Sequence, residues 1–168
     1  MEEDLKDLFG RLMDDNKQRI LRICRAYARS IHDQQDLFQE VALNIWKSLH
    51  SFRHESAIST WVYRICLNVC MQHTLKLNKV AQIRVPVEGI KITDVQSDAQ
   101  TDLEQRERIR KLYECISELD DLDKTVMLLF LEDLSYNVIA EITGISANHV
   151  AVKVSRAKKK LANCFNGY

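Results

Sequence analysis

One proline and four glycines in 168 residues leave little material for tight turns, which excludes a β-rich fold assembled from many hairpins. No apolar run approaches the roughly 18–20 residues needed to cross a bilayer. The opening Met1, Glu2, Glu3 and Asp4 are acidic where a secretory leader would be basic. A soluble, intracellular protein of the cytoplasm is expected. The five cysteines, Cys24, Cys66, Cys70, Cys115 and Cys164, are an odd number without framework spacing, so they are expected as reduced, small apolar residues. A formal net charge of zero excludes nucleic-acid binding driven by overall positive charge. The sequence has no Gly-rich phosphate loop, no nucleophile turn, and no paired carboxylates set against an apolar stretch. Neither catalysis nor a cofactor is expected.

What is present suits packed helices, since 46% of residues are hydrophobic and 29% charged. Apolar residues recur at helical spacing in two sets, Ile20, Ile23, Cys24, Tyr27 and then Leu37, Val41, Ile45, Leu49. Asp33 is placed to cap the second helix, and Ser56 or Ser59 to cap a third. The third helix would turn Ile58, Trp61, Val62, Ile65 and Val69 inward. Residues 1–79 therefore read as one small helical domain. Residues 80–104 lose the period, hold the only proline, Pro86, and carry two basic against five acidic residues, the composition of a flexible acidic linker. Periodicity resumes at Ile109, Leu112, Tyr113 and Ile116, then at Val126, Leu129 and Phe130, so residues 105–168 form a second helical domain. The fold class is all-α: two small helical domains joined by a flexible linker.

The second domain ends in a helix-turn-helix. Ser135 can cap a short helix carrying Ile139, Ala140 and Ile142. Gly144 is the residue type that accepts a left-handed turn, and Ser146 can cap the helix that follows. Val150, Val154, Ala157 and Leu161 step by four, three and four, which leaves Asn148, Val152, Ser155 and Lys159 opposite, with His149 and Arg156 beside them. Amide, hydroxyl and cationic groups on one face suit base edges and phosphates in a major groove. No acid follows Glu141, whereas Lys153, Arg156, Lys158, Lys159 and Lys160 cluster late in the chain, a local footprint for phosphate. The plainer reading is an amphipathic hairpin with a solvated outer face and lysines complementing the helix dipole. Val152 argues against it, because an apolar residue amid a polar face suits a thymine methyl better than water.

Two blocks in order resemble the extracytoplasmic-function class of bacterial RNA polymerase sigma factors. In the first, Asp36-Leu37-Phe38-Gln39-Glu40-Val41 is similar to the family's polymerase-binding motif. Phe52-Arg53-His54-Glu55-Ser56 through Thr60-Trp61-Val62-Tyr63-Arg64-Ile65 is similar to its promoter-melting segment. In the second, Leu134-Ser135-Tyr136, Ile139-Ala140-Glu141-Ile142 and Gly144-Ile145-Ser146, ending in Ser155-Arg156-Ala157-Lys158, resembles the helix-turn-helix that reads the minus-35 element.

The resemblance implies that Asp36, Gln39, Glu40, Leu43 and Lys47 contact core RNA polymerase. It implies that Phe52, Arg53, His54, Glu55, Ser56, Thr60, Trp61, Arg64, Asn68 and Lys76 face the minus-10 region. Ser146, Asn148, His149, Val152, Lys153, Ser155, Arg156 and Lys159 would face the minus-35 element, and an anti-sigma factor becomes a further expected partner. The chain departs from the family pattern at Leu67, Leu75 and Ala151, where basic residues are common, and at Gln72, where an acid is usual. Val138 replaces the Glu that would close a capping box on Ser135, and Asp120 stands where Pro is frequent. Weaker contact with the DNA backbone than in a typical member is expected.

Other constellations have plainer explanations. Cys66, Cys70 and His73 step by four and three and could present three metal ligands, but a structural zinc site has four, so no metal is expected. His50 and His54 read as surface residues, Asp120, Asp121 and Asp123 as a solvated helix start, and Trp46 as core, with Trp61 on the border of the polar loop. Two rival functions fit parts of the pattern: a stand-alone helix-turn-helix regulator, and an interaction protein whose DNA-facing residues have degenerated.

Overall fold

A computed structural model describes residues 2–81 and 103–167, and the described helices fall into two compact units. Among the described residues there is no strand. The first unit comprises α1 (Glu2–Tyr27), α2 (Ile31–Leu49) and α3 (Ile58–Ala81), each packed on the other two. Both expected apolar stripes form its core: Ile20, Ile23, Cys24 and Tyr27 of α1 and Leu37, Val41, Ile45 and Leu49 of α2 are buried. Burying a side chain of this size contributes about 1.5–3 kcal/mol, so these stripes dominate the unit's stability.

Two expected caps are corrected. Ser30, not Asp33, caps α2, its hydroxyl accepting from the Asp33 amide. Asp33 sits in the first turn instead, where its carboxylate accepts from the Arg29 amide at 2.8 Å and meets His73 Nε2 at 2.9 Å. Helix α3 starts at Ile58, and the Ala57 carbonyl takes the first helical bond from the Trp61 amide. Ser59 is therefore inside the helix and Ser56 one residue too early to cap it.

The inward face of α3 is also rotated from the expected one. Val62 and Val69 are buried, together with Tyr63, Cys66, Leu67 and Cys70, whereas Ile58, Trp61 and Ile65 are half-buried. Because α3 packs against both α1 and α2, its buried arc is wide and centres on Cys66. Leu67, where the resemblance leads to the expectation of a basic residue, is 3% exposed and serves the core.

The second unit comprises α4 (Leu103–Ser117), α5 (Asp121–Leu131), α6 (Tyr136–Thr143) and α7 (Ala147–Asn166). Helix α7 packs on all three others. Asp120 caps α5 by accepting from the Asp123 amide at 2.9 Å, and α5 is buried continuously from Asp123 to Leu129. Its end is turned by Asp133 at φ 58, a left-handed value that Asp tolerates better than most residues.

The cysteine expectation fails here. Cys115 of α4 and Cys164 of α7 form a disulfide across a separation of 49 residues, with Cα atoms 5.9 Å apart. Spacing in sequence cannot reveal a pairing that depends on how α4 and α7 pack. The remaining cysteines, Cys24, Cys66 and Cys70, are free and buried, as expected. Most of the expected linker, residues 82–102, lies outside the described residues.

Candidate nucleic-acid and polymerase interfaces

The helix-turn-helix is built as its residues dictate. Ser135 caps α6, its hydroxyl accepting from the Val138 amide at 3.3 Å. Gly144 ends α6 at φ 75, with its amide bonded to the Ala140 carbonyl. Ser146 then caps α7, accepting from the His149 amide at 3.2 Å. Val150, Val154, Ala157 and Leu161 are buried in one stripe. With that stripe inside, Asn148, His149, Val152, Ser155, Arg156 and Lys159 are exposed, and Val152 is 43% exposed.

The basic cluster divides in two. Arg156 and Lys159 are exposed and make no ion pair among the described residues. Lys153 is turned instead to Asp123, Nζ to Oδ1 2.8 Å, and Lys160 reaches the other oxygen of the same carboxylate at 2.7 Å. Lys160 also lies 3.4 Å from Asp120, and Lys158 sits 4.4 Å over the Phe130 ring. These three amines tie α7 to α5. Asp123 is 2% exposed, so it is not part of a solvated helix start. Burial by itself raises its carboxyl, but the two lysines outweigh that and hold it below the ordinary value of 3.8. The sequence could not separate inward from outward lysines on one helix, because neighbouring positions of a long flexible side chain reach either way.

The loop between α2 and α3 gathers rings. Phe52 lies 4.6 Å from His54 and 5.1 Å from Trp61, centroid to centroid, and His54 takes φ 57. Arg53, His54 and Glu55 are exposed around this cluster, with Ser56 half-buried. Thr60, expected on the same surface, is 4% exposed and lies inside the unit. Arg64 is half-buried, Asn68 and Lys76 are exposed, and Leu75 is 58% exposed.

On α2, Asp36, Gln39, Leu43 and Lys47 are exposed opposite the buried stripe, with Glu40 half-buried beside them. Glu40 lies 3.9 Å from Lys76 of α3, so the two expected contact sets adjoin. Leu43 is 50% exposed. Trp46, expected in the core, is 36% exposed at the margin of this face, edge-on to Phe9 at 5.3 Å. Helix α1 is long enough to supply Phe9 as a partner while leaving the other side of the indole open.

Residues 12–80 match the model of sigma-70 region 2, and residues 109–161 that of sigma-70 region 4. The RNA polymerase sigma factor SigV of Bacillus subtilis is 31% identical over 157 residues, covering 92% of this chain and 89% of that one. The chain belongs to the extracytoplasmic-function family of RNA polymerase sigma factors. SigW of Bacillus subtilis, an ECF sigma factor, is 26% identical, with 93% of this chain and 88% of that one covered. The ECF sigma-E factor of Haemophilus influenzae is 29% identical, with 94% and 87% covered. Among solved structures, the sigma factor RpoE of Bartonella quintana, crystallised with the anti-sigma factor NepR, has the same fold. Its TM-score is 0.74 at 19% identity, over 98% of each chain. As a sigma factor the chain directs RNA polymerase to promoters. No helix among the described residues is long and apolar enough to cross a membrane.

Proposed function

We propose that this sigma factor divides its task among three surfaces in two domains. The exposed face of α2, Asp36, Gln39, Glu40, Leu43 and Lys47, docks on core polymerase in the cytoplasm. The loop from Phe52 to Ser56, with Trp61, receives a base unstacked from the minus-10 region: the ring cluster supplies a flat wall and the loop side chains the hydrogen bonds. Arg64, Asn68 and Lys76 lie along α3 toward the same strand. The outer face of α7 enters the major groove of the minus-35 element. Catalysis belongs to the polymerase. An anti-sigma factor, like the one bound to the Bartonella relative, would act by competing for the polymerase-facing surfaces.

The observation that carries this assignment is the outer face of α7, where Asn148, Val152, Ser155, Arg156 and Lys159 stand exposed opposite an unbroken buried stripe. Arg156 and Lys159 meet phosphate or guanine, Asn148 a base edge, and Val152 a thymine methyl. Lys153 is left out of the interface, since it is engaged by Asp123. The test is a promoter library bound by the holoenzyme. Lys159→Ala should weaken every sequence alike and flatten the salt dependence, whereas Asn148→Ala should relax preference at one position. Uniform loss from both variants would refute the division of roles.

A further inference from the structure

Three thiols from two helices converge in the first unit. Cys24 of α1 and Cys66 and Cys70 of α3 are each fully buried, and their three sulfurs all lie within 4.8 Å of one another. His73, the next residue on that face of α3, is drawn to Asp33, so the cluster is three sulfurs without a nitrogen. Soft thiophilic ions bind sulfur at about 2.3 Å, the length of a zinc–sulfur bond, so three sulfurs around one centre stand about 3.4–4 Å apart. From within 4.8 Å of one another, a closure of at most about 1.4 Å brings all three onto a common centre.

Charge decides which ion. Zinc held by three thiolates would leave a net negative charge and require a fourth ligand, and monovalent copper would leave a larger negative charge in an apolar core, where unpaired charge is costly. A trivalent ion on three thiolates is neutral and complete with three bonds. We infer that Cys24, Cys66 and Cys70 form a binding site for a trivalent thiophilic metalloid, arsenic(III) or its chemical equivalent antimony(III).

The reaction balances without an oxidant or a net proton: As(OH)3 and three thiols give As(SR)3 and three waters. Each arsenic–oxygen bond is replaced by an arsenic–sulfur bond, and each thiol proton leaves on a hydroxide as water. Because the sulfurs are buried, association requires a local parting of α1 and α3 and should be slow. Once made, the three bonds tie the two helices together.

The experiment uses the full chain with its Cys115–Cys164 disulfide kept intact, so that only Cys24, Cys66 and Cys70 are free, and sodium arsenite as probe. One arsenic should bind per chain with three sulfurs in its shell by X-ray absorption, and the first unit should melt at a higher temperature. Cys24→Ala, Cys66→Ala or Cys70→Ala should each weaken binding on the order of 100-fold, the multivalent advantage of one further bond in the chelate. The Cys115→Ala, Cys164→Ala double variant should bind like the original. A two-sulfur shell, no binding by the original chain, or loss of binding in the Cys115→Ala, Cys164→Ala variant overturns the site, as does zinc bound at these three cysteines in preference to arsenite. The absorption measurement on the original chain stays decisive should a core variant fail to fold.

Discussion

Gly144 is the residue on which the helix-turn-helix turns. Its φ of 75 lies in the left-handed region, and a Cβ added there would meet nothing within 4 Å. The constraint is thus in the backbone alone. Gly144→Ala should destabilise the second unit by about 1–2 kcal/mol, the cost of a left-handed conformation for an L-residue, and lower promoter affinity with it. Urea melts of the two proteins measure the first effect. This residue, together with Ser135 and Ser146, was legible in the sequence because a turn glycine and two caps act locally. Lys153 and Asp123 were not, since the pair is 30 positions apart and exists only when α5 and α7 are packed. Ser30 was hidden behind Asp33 because both residue types can cap: Ser30 takes the cap, and Asp33 reaches back to the Arg29 amide and across to His73.

At the scale of elements, α7 is held by two devices, one ionic and one covalent. The Asp123 carboxyl is held below its ordinary 3.8 because Lys153 and Lys160 outweigh its burial. A carboxyl lowered by folding stabilises the fold above its unfolded value, and that contribution is lost as the pH falls through the folded value. The second unit should therefore weaken as the pH drops below about 4. Asp123→Asn should flatten that part of the pH profile and cost roughly 1.5–3 kcal/mol at neutral pH, the worth of hydrogen bonds to a charged group. Thermal melts across the acid range read both effects.

The disulfide is the second device. Closing a 49-residue separation between Cys115 and Cys164 restricts the unfolded chain, and its removal should cost about 2–4 kcal/mol. Dithiothreitol should lower the melting transition of the second unit and leave the first, which contains neither cysteine, nearly unmoved. Helix existence was legible in α1, α2 and α7, because the apolar period is long and regular there. The inward face of α3 was not. Cys66 and Cys70 take the centre of that face while Trp61 and Ile65 stay half-buried, since free cysteine is among the most buried side chains.

For the whole molecule, the proposed division of labour rests on which faces folding leaves uncovered. The first unit covers Leu37, Val41, Ile45 and Leu49 and exposes Asp36, Gln39, Leu43 and Lys47. The second covers Val150, Val154, Ala157 and Leu161 and exposes Asn148, Val152, Arg156 and Lys159. Both divisions were readable from spacing alone, because a helix that buries one face must offer the other. Thr60 and Trp46 escaped that logic. One lies in the first turn of α3 and the other beside Phe9, so their burial depends on neighbours from elsewhere in the chain.

On the proposed assignment, this chain gives core RNA polymerase its choice of promoter through the exposed face of α2 and the outer face of α7. The most direct measurement is transcription in vitro from genomic promoter fragments, with purified core polymerase alone, with the chain added, and with the Asp36→Ala, Gln39→Ala double variant. Both changed residues are exposed, so the variant should keep its helicity and melting temperature. Promoter-dependent transcripts should appear only when the original chain is present, and should be lost with the double variant together with its affinity for core polymerase. Transcription no different from that of core polymerase alone, or a double variant as active as the original, would contradict the assignment.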